Sequence, residues 1–351
     1  MSLHSAPLRP PHRFELRNLS VGYATGKGPL AVASGLTATL RGGELTCLLG
    51  ANGAGKSTLL RTLSGFQPPL GGTLCIDGRP LGSLRGGELA RTVGVVLTER
   101  PSAALLTVRE LVALGRTPYT GFWGRCTGED WRVVDEALRT VGMEALAQRA
   151  VGTLSDGERQ KAMVARALAQ QTPVVLLDEP TAFLDYPSKV ETMLLLRRVC
   201  RQTGRMVFLS THDVDVALQL ADTVWLMDRR RPLAVGTPED LALSGLLSSF
   251  FESDSLVFAP RTGLFAIRLP VTRRVRAVGS DATRLALLRK ALLRQGIGVA
   301  EEGGGAGCPG GAAAPLMAGV SVTVTATGFV VTRGNEKATV RTVAGVVALL
   351  C

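Results

Sequence analysis

Residues 50–58 read GANGAGKST, a full match to the pattern G-x-x-x-x-G-K-[ST]. Gly50, Gly53 and Gly55, with Asn52 and Ala54 between them, let successive backbone N–H groups curl around phosphate oxygens. A helix opening at Lys56 adds the positive end of its dipole. Lys56 is expected to reach the β- and γ-phosphates of a nucleotide. Ser57 offers a hydroxyl to magnesium, and Thr58 completes the loop.

Residues 174–180, VVLLDEP, place two carboxylates after four apolar residues. In an α/β sheet the carboxyl end of a strand is where ligands bind. Asp178 is expected to hold magnesium through water, and Glu179 to polarise an attacking water as general base. A strand ending in Asp-Glu is a common feature on its own. Following a phosphate loop, it points to phosphoanhydride hydrolysis.

These groups need a scaffold. Phe14 to Leu40 reads as short strands broken by a Gly-rich turn, and Glu44 to Leu49 as a buried strand. Further strands are expected at Thr73 to Ile76, Val93 to Leu97, Val174 to Leu177, Met206 to Ser210 and Thr223 to Met227. Thr107 to Gln170 turns helical, with Thr107/Glu110 and Thr127/Asp130 spaced as capping boxes. Thr237 and Asp240 open a last capped helix, Thr237 to Phe251. Alternating strands and helices imply a mainly parallel sheet interrupted by one helical subdomain.

Beyond Ser255 the pattern changes. Ser255 to Leu269 reads as a hairpin, Arg274 to Val278 as a strand and Asp281 to Gln295 as an Arg/Leu-rich helix. A Gly/Ala linker follows from Glu302 to Ala314, then a hairpin from Ser321 to Thr332 and a closing helix from Thr339 to Leu350. The expected organisation is a disordered segment 1–12, an α/β domain 13–254 and a small α+β appendage 255–351.

The chain has 351 residues, 46% of them apolar, and a net charge of +11 from 40 Lys+Arg against 29 Asp+Glu. A basic balance suits an anionic partner, although an Arg-rich surface also solvates a protein without binding anything. Cys47, Cys75, Cys126, Cys200, Cys308 and Cys351 show no CxxC spacing and read as small buried hydrophobes in a reducing compartment. The polar, Pro-rich N-terminus lacks the apolar stretch of a signal peptide, and no apolar run suits a bilayer crossing. A cytoplasmic protein with a peripheral membrane role is expected.

Between the two phosphate motifs lies LSDGERQ, Leu154 to Gln160. Here the chain resembles the ABC ATPase family, whose signature is usually LSGGQ, over about Phe14 to Phe251. The resemblance implies an ABC-type P-loop ATPase domain of α/β class, with a helical subdomain near residues 105–170 and with ATP and Mg2+ as ligands. It also implies roles for other residues. Tyr23 in SVGY matches the aromatic that stacks on adenine, and His212 in STHD the switch histidine at the γ-phosphate. Asp185 in TAFLD lies in the loop that touches an opposite subunit. Ser155, the Gly157 N–H and the adjacent Glu158 form the signature at a helix N-terminus, a second anion cradle. In the family that cradle caps the phosphate site of a second subunit, so a homodimer is expected.

Two departures from the family pattern stand out. Asp156 replaces the first signature Gly; its charge suits a helix N-terminus if the side chain points away from phosphate. Glu99 stands where the family usually carries a Gln that ligates magnesium, and its carboxylate is itself a hard-cation ligand. Leu106 to Arg125, LTVRELVALGRTPYTGFWGR, resembles ATPases of importers for iron-siderophores, haem and cobalamin. Such a subunit works with a polytopic permease and an extracytoplasmic substrate-binding protein, on the cytoplasmic face of the cell membrane. Tyr119, Phe122 and Trp123 either supply contact area for the permease or pack internally. The other readings are a soluble ABC ATPase acting on ribosomes or DNA, and an exporter ATPase. A single cassette without sustained heptads or an aromatic-basic module disfavours nucleic acid as a partner.

Overall fold

A computed structural model describes residues 12–26, 28–97, 105–121, 124–300 and 314–351. Phe122, Trp123, Glu99, Cys308 and most of the expected linker and N-terminal segments lie outside the described residues. The chain forms two compact units, the first spanning residues 1–252 and 258–265 and the second 253–257 and 266–351.

The first unit opens with β1 (Arg13–Thr25), β2 (Gly28–Arg41), β3 (Leu45–Leu49) and α1 (Lys56–Leu63). β4 (Gly71–Ile76), β5 (Arg79–Pro80), α2 (Gly87–Thr92) and β6 (Val93–Val96) follow. The helical stretch holds α3 (Val108–Ala113), α4 (Gly128–Thr140) and α5 (Asp156–Ala169). Then come β7 (Val174–Asp178), α6 (Tyr186–Thr203), β8 (Met206–Ser210), α7 (Val214–Leu220), β9 (Thr223–Leu226) and β10 (Ala234–Gly236). Two short helices, α8 (Pro238–Leu243) and α9 (Leu246–Phe251), end this part of the chain.

Two sheets result. One, in the order β2-β1-β4-β5, is antiparallel. The other, β10-β9-β3-β8-β7-β6, is parallel except for its β10 edge. β3 and β8 are buried along their whole length, as parallel strands covered on both faces must be. Because β8 lies between β3 and β7, the carboxyl ends of these three strands meet along one edge.

The helical stretch is three helices rather than continuous helix. α3, α4 and α5 bury Val108, Leu111, Val134, Leu138 and Val164 in a common core. Capping boxes at Thr107/Glu110 and Thr127/Asp130 start α3 and α4 where the spacing predicts them. A buried Arg116–Asp130 pair, 2.9 Å apart, ties the segment after α3 to α4. The last helix, expected from Thr237 to Phe251, breaks in two because Gly245 adopts φ +74°.

β11 (Leu256–Ala259) and β12 (Leu264–Ile267) form the expected hairpin. The second unit then builds β13 (Arg273–Gly279), α10 (Ala282–Leu293), β14 (Ile297–Ala300), β15 (Leu316–Val324), β16 (Phe329–Arg333), β17 (Glu336–Val340) and α11 (Val343–Leu350). Its sheet runs β14-β13-β15-β16-β17. Val275, Ile297, Val322, Phe329, Val331, Val346 and Leu350 form its separate core. The closing helix is shorter than expected. Thr339 and Val340 pair with Val330 and Phe329 as strand, and α11 starts only after Thr342 caps it. β-branched residues favour that pleated pairing.

Among the described residues no helix is long and apolar enough to cross a membrane. Cys47, Cys75 and Cys200 are buried free thiols, and burial pushes the Cys200 thiol up to about 12. Cys351 departs from the expectation of burial: it is exposed.

Candidate functional site

The glycines after β3 are required by contact. A Cβ on Gly50 would lie 2.2 Å from the Met227 carbonyl oxygen, and one on Gly55 2.6 Å from Val32 Cγ1. Gly53 and Gly55 also adopt φ +76° and +102°, where side chains are strained. Gly55 is the N-cap of α1 and supplies no side-chain bond, and the first turn carries no acidic residue. The α1 N-terminus therefore presents its N–H groups and dipole to whatever sits in the loop.

Lys56 is 6% exposed, and its Nζ donates to the carbonyls of Gly50 at 2.8 Å and Ala51 at 3.2 Å. Burial lowers its pKa, while Glu179 and Asp178 oppose that shift, so the amine lies within reach of both carboxylates' fields. Ser57 and Asn52 are exposed, and Ala54 is buried. Tyr23, 43% exposed, places its hydroxyl 3.0 Å from Thr58 Oγ1, so the aromatic stands against the start of α1.

The β7 edge supplies the acids. Asp178 pairs in register with Ser210 of β8. Ser210 Oγ donates to Asp178 Oδ1 at 2.6 Å and accepts the Glu179 N–H at 3.0 Å. Glu179 takes φ +48°, and His212 Nε2 lies 2.7 Å from its Oε1. Asp213 braces the next loop, accepting Thr181 Oγ1 at 2.7 Å and pairing with Lys189 at 2.7 Å.

Among the described residues no cluster of three His, Cys, Asp or Glu could hold a metal by itself. The oxygen donors of Ser57 and Asp178 fit magnesium, which keeps several waters and takes phosphate oxygens to complete its shell. The glycine-walled cradle beside them fits the phosphates.

Ser155, Gly157, Glu158 and Asp185 form a second group. Ser155 caps α5: its Oγ accepts the Glu158 N–H at 3.2 Å, while Glu158 Oε2 accepts the Ser155 N–H at 2.9 Å. These bonds hold the Glu158 carboxyl below its usual range. Asp156 turns to Arg159, 3.1 Å away. Asp185 caps α6 through the Ser188 N–H at 3.0 Å, and a Cβ on Gly157 would lie 3.5 Å from Ser188 Oγ. The α5 and α6 N-termini are thus neighbours. Ser155, Glu158 and Asp185 bond within the α5 and α6 caps, whereas Lys56 bonds the Gly50 and Ala51 carbonyls of its own loop.

Tyr119 packs internally. The guanidinium of Arg116 lies 3.9 Å from its ring centroid and that of Arg91 5.0 Å, and its hydroxyl donates to the Gln170 carbonyl at 3.0 Å. The motif reading assigns no role to two side chains at the site, Ser210, the first residue of STHD, and Arg229. Arg229 Nε donates to the Gly53 carbonyl at 2.6 Å, holding the phosphate loop from outside. With Ala31, Val32 and Arg230 it helps line an open cavity of about 490 Å3. For Arg229 the sequence signal is the run Arg229–Arg231, placed just after the strand that pairs with β3.

A phosphate loop on a central parallel strand, acids on a nearby strand and a helical subdomain define a P-loop ATPase cassette. The ABC transporter family matches residues 33–182. An ABC transporter ATP-binding protein of Methanocaldococcus jannaschii, itself uncharacterised, is 38% identical over 72% of this chain and 85% of its own length. The iron(3+)-hydroxamate import ATP-binding protein of Bacillus subtilis is 32% identical over 70% and 90%. A dimeric ATP-binding cassette solved in a post-hydrolysis state with ADP and Pi superposes with a TM-score of 0.55 at 27% identity, covering 64% of this chain and 98% of that one. The chain belongs to the ABC transporter ATP-binding family and is an ATPase that powers transport.

Proposed function

We propose that this chain hydrolyses ATP to drive an ABC importer whose cargo is an iron-siderophore, haem or cobalamin. The observation that carries the ATPase reading is the meeting of a buried lysine, an uncapped Gly-rich helix start and the Glu179–His212 pair at one sheet edge. Import relatives such as the iron(3+)-hydroxamate protein support the direction of transport.

In this reading the loop N–H groups of residues 50–58 and Lys56 bind the phosphates, and Tyr23 takes the adenine. Ser57, Asp178 and Glu99 would hold magnesium, which would supply positive charge against the phosphates. Glu179 accepts a proton from the attacking water, and His212 holds that carboxylate and senses the γ-phosphate. Ser155, Gly157, Glu158 and Asp185 act on the nucleotide of a second copy. The likeness to a dimeric ATP-binding cassette supports a homodimer with two shared sites. The partners are a polytopic permease and, through it, an extracytoplasmic substrate-binding protein, with this subunit peripheral on the cytoplasmic face of the membrane.

The test is uptake by a host strain whose gene for this chain carries Glu179→Gln. Accumulation of labelled ferric siderophore, haem or cobalamin should fall for one of the three. Unchanged uptake of all three would remove the cargo assignment and leave the ATPase reading standing.

A further inference from the structure

We infer that Ser210 is a positioning residue for the hydrolytic step, one hydroxyl holding both the Asp178 carboxylate and the backbone of Glu179. The inference rests on the site reading above and gives a role to the first residue of STHD, which the motif reading left without one.

Ser210 is fully buried at the end of β8, directly across from Asp178. A serine hydroxyl has one proton, and here Asp178 Oδ1 takes it at 2.6 Å, the short distance of a charge-assisted bond. Its oxygen accepts the Glu179 N–H at 3.0 Å. The bonds form a relay, from the Glu179 N–H through Ser210 Oγ–H to Asp178, so each polarises the next.

The backbone gives this bond its importance. Glu179 sits at φ +48°, a left-handed conformation that crowds the Cβ of a non-glycine residue against its own backbone. Such strain persists only where the surroundings over-determine it. The Ser210 acceptor is what the neighbouring strand supplies to hold that peptide. Without the hydroxyl, a N–H beside buried strands loses its partner and Glu179 can relax toward extended backbone. That swings its carboxylate away from His212 and from the attacking water. Asp178 loses a donor that fixes its rotamer at the same time. Lys56 and the phosphate loop make no bond to Ser210, so nucleotide affinity without magnesium should not change.

The experiment compares full-length wild type, Ser210→Ala, Ser210→Thr and Glu179→Gln. It measures kcat and KM for ATP, binding of a non-hydrolysable ATP analogue in EDTA and in magnesium, and thermal melting. Ser210→Ala should lower kcat about tenfold or more, the scale of a small misplacement of a catalytic group. Its analogue affinity in EDTA should match wild type, while the gain on adding magnesium shrinks. Ser210→Thr, which keeps the hydroxyl, should restore most of kcat.

Three results would overturn the inference. They are a Ser210→Ala enzyme as fast as wild type, a slow one that also loses analogue affinity in EDTA and melts early, and a Thr variant as slow as the Ala variant. Glu179→Gln separates the levels. If it is inactive while Ser210→Ala is normal, the inference alone fails; if it hydrolyses ATP normally, the site reading fails and takes the inference with it.

Discussion

Two helix N-termini in the first unit are built in opposite ways. At α1 the cap is a left-handed glycine with no side-chain bond, no acid follows in the first turn, and a buried lysine stands inside the loop. At α5, Ser155 and Glu158 satisfy each other's backbone N–H groups, and Asp156 adds a second acid to the first turn. Among the described helices of eight residues or more, α1 alone lacks a side-chain cap. An uncapped end leaves its N–H groups open to water or an external anion, whereas a capped end meets its own need and keeps its stability without one. The first is a binding site in the single chain. The second is a finished helix end, which in the proposed homodimer faces the nucleotide of the other copy.

The largest effect is expected from Lys56→Ala. Removing the buried cation from a polyanion site should weaken ATP binding about 100-fold or more, read by equilibrium binding of a labelled analogue. Unchanged affinity would mean that the α1 end is not the phosphate site. Next in size, Glu179→Gln should leave analogue affinity within a few-fold of wild type but cut turnover by roughly 100-fold or more. Normal turnover would move the general base elsewhere.

Much of this was legible because the phosphate chemistry is local in sequence. Gly50 to Thr58 carries its own turn geometry, and Val174 to Glu179 its own strand and acids. What was not legible depends on the sheet. Ser210 reaches Asp178 only because β8 inserts between β3 and β7, and Arg229 reaches Gly53 only because β9 pairs with β3. Tyr119 carries amphipathic character that suits a partner surface as well as a core. Its internal role follows from Arg91 and Arg116, which approach it from different elements. The break at Gly245 and the strand at Thr339 were hidden by runs whose apolar spacing suits a helix over a longer stretch than the caps allow.

A smaller effect is expected at the capped end. Ser155→Ala should cost about 1 kcal/mol of stability in denaturant unfolding and leave ATP binding by the single chain unchanged. A loss of ATP affinity in the monomer would place Ser155 in its own chain's site. The smallest concerns pH. Bonds from Ser155 hold the Glu158 carboxyl below its ordinary value of 4.5, so its contribution is present above about that pH and is lost as pH falls through the lowered value. The melting difference between wild type and Glu158→Gln should therefore be visible at pH 7 and close on acidification. A difference that grows toward low pH would contradict the capping assignment.

If each complete site takes α1 from one copy and α5 from another, two inactive chains should restore activity when mixed. Lys56→Ala has an intact α5 end, and Ser155→Arg an intact α1 end. Each alone should hydrolyse little ATP, although Ser155→Arg should still bind it. Mixed dimers hold one site with both ends intact, so the mixture should exceed the sum of the separate preparations. A mixture no more active than that sum, with mixed dimers shown to form, would contradict the account.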